Sequence, residues 1–99
     1  MTKSELINRI AAVYPYMHLK NVERVVNIIL KAIETRLVQG GRIELRDFGS
    51  FSVRTRAAIV GRNPKTGEAV QIPERKIPFF RAGKRLRKLV DKGYEEAND

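Results

Sequence analysis

Two stretches of the chain carry residue types whose spacing suits work on a charged ligand. The first is Gly61-Arg62-Asn63-Pro64-Lys65-Thr66-Gly67, which sets a proline between two cations in a segment bounded by glycines. Proline suits an early turn position and glycine a later one, so the segment predicts a tight turn with Pro64 at its tip. Such a tip offers a rigid hydrocarbon ring with no N–H to desolvate, and Arg62 and Lys65 stand beside it as anion binders. The second is Arg42-Ile43-Glu44-Leu45-Arg46, where charged and apolar residues alternate. That pattern places Arg42, Glu44 and Arg46 on one side of a strand. On a solvated sheet such charge pairs are common and worth little; against an ordered ligand the same group can read polar edges. The pattern alone leaves both open.

Covalent chemistry has little support. The 11 Asp and Glu residues are scattered, no nucleophile–base set is visible, and no glycine-rich phosphate loop opens a helix. There is no cysteine and one histidine, His18, so neither a disulfide framework nor a clustered metal site is expected. His18 precedes a helical segment and reads as a surface or capping residue. No cofactor, no small-molecule substrate and no enzymatic activity are expected.

Charge supplies the stronger signal. The 99 residues include 20 Lys and Arg, giving a formal net charge of +9. Residues 42–92 hold 14 of the basic and 5 of the acidic side chains, so most of the attraction lies in the C-terminal half. A polyanionic partner follows, nucleic acid first and an anionic membrane surface second. The membrane reading is the weaker, because the cations lie mainly on strands and a hairpin rather than on one amphipathic helix. Met1-Thr2-Lys3-Ser4-Glu5 leads into no apolar signal region, and no apolar run is long enough for a bilayer span, so a cytoplasmic location is the expectation.

These groups need elements to hold them. Thr2 and Glu5 have capping-box spacing, with Glu5 expected to reach back to Thr2. Leu6, Ile7, Ile10, Ala11, Val13 and Tyr14 recur at helical spacing before Pro15, which predicts a helix over about 3–14. A second helix is expected from about 20 to 39, stopped by Gly40-Gly41. Its stripe of Val22, Val25, Val26, Ile29, Ile33 and Leu37 is widened by Ile28, Leu30 and Ala32, more than one face of a surface helix needs. Either it is fully buried, or its second side meets another copy or a related subunit. The period then changes to 2. Residues 42–46 and 50–56 predict neighbouring antiparallel strands joined at Asp47-Phe48-Gly49, with an apolar face on the helices and a basic face opposite. Residues 56–75 predict a basic hairpin arm, residues 76–81 a strand placed at an edge by Pro78, and residues 83–91 a short helix. An acidic tail over 93–99 is expected to be disordered, leaving one domain over 1–92 of α+β class.

Taken together, Gly61 to Gly67, Phe48-Gly49-Ser50-Phe51, and Pro78-Phe79-Phe80-Arg81-Ala82-Gly83-Lys84 resemble the HU/integration host factor family of bacterial DNA-bending proteins. Met1 to Ile7 and Arg42 to Arg46 are most similar to its β-type branch. The resemblance implies an intertwined dimer, either of identical chains or with a related α-type subunit, acting on double-stranded DNA in the nucleoid. Carried onto this chain, Pro64 would intercalate, with Arg62, Asn63 and Lys65 beside it in the minor groove. Arg46, held by Glu44, would enter the minor groove at the body. Lys3, Ser4, the Phe48-Gly49 turn, Arg81, Gly83 and Lys84 would meet phosphates, while Arg42, Arg54, Arg56 and Arg75 complete the DNA-binding set. Val26, Ile29, Ile33, Phe48, Phe51 and Phe80 would form the dimer core. The chain departs from the family pattern at Asp47, where glycine is usual, and at Ile59-Val60, where an Arg-Thr pair is common. The competing function is a general RNA-binding or ribosome-associated module, which accounts for the charge but not for a proline at a hairpin tip.

Overall fold

Thr2 opens the first helix, α1 (Lys3–Val13): its backbone is extended and its hydroxyl accepts from the Glu5 N–H at 3.2 Å. The return half of the expected capping box takes a different form. The Glu5 carboxylate accepts from the Thr2 hydroxyl at 3.3 Å, not from the Thr2 N–H, so the side chains close on each other. The helix ends where Tyr14 donates to the Ile10 carbonyl, immediately before Pro15. Helix α2 (Leu19–Val38) starts after His18, whose carbonyl accepts from Asn21 and Val22 and whose Nδ1 accepts from the Lys20 N–H at 3.4 Å. His18 therefore caps a helix, as expected from its position. The computed structural model describes residues 1–93, so the expected acidic tail falls, apart from Gly93, outside the described residues.

Two compact units make up the chain, Met1–Thr35 and Arg36–Asp99. In the first, Ile7 of α1 packs with Val22 and Val26 of α2, and Ile10, Ala11 and Met17 close around them. Val26 is thus already buried within its own unit. The second side of α2 is open: Ile28 and Ile29 are 67% and 55% exposed, and Val25 and Leu30 are exposed with them. The broad apolar stripe is not a fully buried helix within this chain.

In the second unit the end of α2 is closed by Gly40, at φ 78, where a left-handed turn favours glycine. A three-stranded antiparallel sheet follows in the order β1 (Ile43–Leu45), β2 (Gly49–Arg56), β5 (Arg75–Ala82). Strand β5 lies at an edge, so Pro78, opposite Val53, costs the sheet no ladder bond on its free side. Between β2 and β5 the chain extends into a second ladder, β3 (Ile59–Arg62) with β4 (Ala69–Ile72). Arg56 pairs with Arg75 and Ile59 with Ile72, so the register carries unchanged across the unpaired residues 57–58 and 73–74. The arm is one hairpin in continuous register, and Pro73 among the unpaired residues has no N–H for the ladder. Helix α3 (Lys84–Lys92) completes the fold.

Candidate nucleic-acid interface

Antiparallel pairing puts Cα partners on the same face of a sheet. Phe51 opposite Phe80, and Ile43 opposite Phe51, define the apolar face, where the Phe80 ring lies 4.8 Å from Phe51 and 5.5 Å from Phe48. Phe48 is 46% exposed and Phe80 38%, so this aromatic cluster is left half open within one chain. The opposite face holds Glu44, Ser50, Ser52, Arg54 and Arg56, facing Arg75, Ile77, Phe79 and Arg81 across the ladders. Small serines between arginines leave that face shallow.

At one end of this face lies an open cleft of about 490 Å³, lined by Arg42, Glu44, Arg46, Asp47, Ser50, Arg81, Gly83 and Arg87 among others. Four of those side chains are cationic and two are acidic. Glu44 accepts from Arg42 at 2.7 Å, both groups well exposed. This corrects the expectation that Glu44 holds Arg46. Arg42 immediately precedes β1, whereas Arg46 follows it in the turn, where the next residue, Asp47, adopts φ 68. Arg46 and Arg81 have no carboxylate partner among the described residues. The left-handed backbone at Asp47 also gives a physical reason for glycine at this position; aspartate is one of the few other residues that tolerate it.

The cleft wall depends on close backbone approach. Gly83 donates to the Phe48 carbonyl at 2.7 Å. A Cβ on Gly49 would stand 2.6 Å from the Arg81 carbonyl oxygen and 2.7 Å from the Phe80 ring. From Gly83 the helix α3 begins, with Lys84 and Arg85 in its first turn and no acidic residue there. Cations oppose the positive end of a helix, and an anion relieves the conflict. Arg87, one turn on, lines the cleft with Arg81. It was absent from the expected site set, although its helical spacing from Lys84 and Gly83 was there to be seen.

At the arm tip the same residue types are used differently. Asn63 donates its N–H to the Glu68 carbonyl at 2.9 Å and accepts from Gly67 N–H at 2.7 Å. Its side-chain Oδ1 accepts from the Lys65 N–H at 2.9 Å, and Thr66 Oγ1 accepts from the Glu68 N–H at 3.3 Å. Arg62 Nη1 donates to the Gly67 carbonyl at 3.0 Å. Gly67, at φ 71, supplies the left-handed residue the turn requires. Pro64 is exposed on this braced turn. In the helical unit, Lys3 Nζ donates to Asn27 Oδ1 at 2.8 Å, and the Ser4 hydroxyl lies 3.1 Å from that of Thr2. Arg54 does not point free: its Cζ lies 3.5 Å from the centre of the Phe79 ring.

Comparison with known proteins agrees with this geometry. The profile of the bacterial DNA-binding protein family matches residues 1–91. Integration host factor subunit beta of Nitrosomonas eutropha is 49% identical over 98 residues, covering 99% of this chain and 93% of that protein. The same subunit of Nitrosomonas europaea is 52% identical, covering 94% and 89%. Among solved structures, an Anabaena HU–DNA cocrystal structure has a TM-score of 0.85 at 36% identity, covering 94% of this chain and all of that one. A point mutant of HU from Thermotoga maritima has a TM-score of 0.63 at 31% identity, covering 89% and 96%. The chain belongs to the HU/integration host factor family of bacterial DNA-binding proteins, which are architectural and not enzymes.

Proposed function

We propose that this chain bends duplex DNA as half of an intertwined dimer, by laying its arm in the minor groove and inserting Pro64 between base pairs. The observation that carries the reading is the tip: an exposed proline at the end of an in-register hairpin, on a turn whose polar groups brace one another. A rigid wedge transmits force only if its mount does not yield. Unstacking a step costs a few kcal/mol, a magnitude drawn from minor-groove binders of which HU and integration host factor are type examples. Cation–phosphate contacts along the flanks offset that cost. The Anabaena HU structure with DNA supports duplex DNA as the ligand here.

In this reading Arg62, Asn63 and Lys65 flank the wedge. Arg54, Arg56 and Arg75 follow the base of the arm, and Arg42, Glu44 and Arg46 face the minor groove at the body. Lys3, Ser4, Arg81, Gly83, Lys84 and the added Arg87 meet phosphates. Residues 1–92 act as one DNA-binding module, a reading supported by the family match over 1–91. Ile29, Ile33, Phe48, Phe51 and Phe80 are covered by the partner; the exposed second side of α2 and the half-open aromatic cluster support it. Relatives named as a beta subunit favour pairing with an α-type chain over self-pairing. The protein acts in the nucleoid, in DNA compaction, recombination and transcription regulation; no helix among the described residues is long and apolar enough to cross a membrane.

The test is a bend assay by fluorescence transfer between the ends of a duplex. Pro64→Ala should abolish most of the bend while leaving most of the non-specific affinity. Log affinity should fall steeply with log salt as counterions are released. An unaltered bend overturns the wedge, and a flat salt titration overturns the electrostatic reading. Structured RNA outcompeting nicked duplex would favour an RNA-binding role instead.

A further inference from the structure

Arg54 and Phe79 form a cation–ring pair on the sheet's charged face. We infer that Phe79 is a positioning residue for DNA binding: its ring holds the Arg54 guanidinium over the outer sheet face as a preorganised phosphate clamp. The inference rests on the DNA-binding reading above and deepens it by assigning how one cation is aimed.

The register explains the contact. Phe79 pairs with Ser52, and Arg54 pairs with Ile77, so Arg54 and Phe79 are diagonal neighbours on one face. Diagonal partners are within reach of a long side chain. Ser52 is too small to cover the ring opposite it, so the face of Phe79 is open to Arg54. A carbon 3.5 Å from the ring centre can only lie above the ring, because an in-plane approach is blocked by the ring's own edge. A guanidinium in that position meets the negative face of the π-system. Arg54 has no hydrogen bond or ion pair among the described residues, so its N–H donors remain available. A planar fork fits a phosphate with two parallel bonds, and fixing the plane beforehand removes rotamer freedom that binding would otherwise remove. Phe79 is on the opposite face from the Phe51–Phe80 pair, so it takes no part in that aromatic cluster.

The experiment is a double-mutant cycle on the full chain, assembled as its dimer, binding a duplex of fixed sequence across a salt series. Phe79→Leu keeps apolar bulk and removes the π face; Arg54→Ala removes the cation. Thermal unfolding of each variant confirms that it folds, and Phe79→Trp serves as the rescue. Phe79→Leu should weaken binding about three- to fivefold in the parent background. In the Arg54→Ala background it should change nothing measurable. It should also reduce the salt slope toward that of Arg54→Ala, by up to about 0.9 for each engaged Arg54; a purely structural role would leave that slope in place. Phe79→Trp should restore both. Equal losses in the two backgrounds, or an unchanged slope, overturn the inference. Failure of the broader reading looks different, because the parent protein itself would then show a flat salt slope.

Discussion

At the arm tip, Arg62, Asn63 and Thr66 direct their polar groups into their own turn. On the outer sheet face Arg56, Arg75 and Arg81, and in the adjoining turn Arg46, have no side-chain hydrogen bond or ion pair among the described residues. One region is satisfied internally and presents a hydrocarbon edge; the other is left electrostatically incomplete. The difference fits the two tasks proposed above for one ligand. A wedge needs a stiff mount and works by shape, so Arg62 is better used as a brace. A wrapping surface works by charge at a distance, where internal pairing would cancel the attraction. The same residue type, arginine, serves both according to what its backbone neighbours offer it.

The contrast can be broken most severely at the body. Gly49→Ala forces a Cβ to within 2.6 Å of a backbone carbonyl that cannot move aside freely. We expect a loss of about 1–3 kcal/mol in denaturant unfolding at fixed protein concentration. Amide shifts of residues 63–68 should stay as they are, because the tip turn is held locally. A global shift of those amides would mean the two regions are not independently built.

A smaller effect is expected at the brace. Arg62→Met keeps length and removes the bond to the Gly67 carbonyl, worth about 1 kcal/mol. The bend measured by fluorescence transfer should fall by more than the single lost charge accounts for, and raising affinity with lower salt should not restore it. Recovery of the bend at low salt would show Arg62 to act as a simple cation.

The smallest change should sharpen the body's role. Asp47 is an acidic residue in the cationic cleft and sits at φ 68. Asp47→Gly removes both the charge and the left-handed strain, so stability should rise by about 1 kcal/mol or less. DNA affinity should rise at low salt, with the gain shrinking as salt screens the cleft. No gain at any salt concentration would place the Asp47 carboxylate away from the bound phosphates.

Much of this was legible in the chain. The alternation of residues 43–45 and 50–56, the stops at Pro15 and Gly40-Gly41, and the turn signals of Pro64 and Gly67 are local, and the elements appear within a residue or two of the expected bounds. The candidate site was less readable. Glu44 had two arginines at equal spacing, and nothing local distinguishes them; the turn after Leu45 takes Arg46 away from the strand. Arg87 was visible as an exposed helical cation, but its place in the cleft depends on where α3 starts against the Phe48-Gly49 turn.

By itself, then, the sequence determined the order of elements, the proline-tipped turn and the side of the sheet that carries charge. Each follows from backbone preferences and periodicity that act over a few residues. Only the tertiary structure decided which cation stays unpaired, which is braced and which is stacked. Register between strands distant in sequence sets those partners: Arg54 meets Phe79 because residues 52 and 79 happen to be opposite one another. A shift of one residue in that pairing would turn the ring to the other face and leave Arg54 with nothing to lie on.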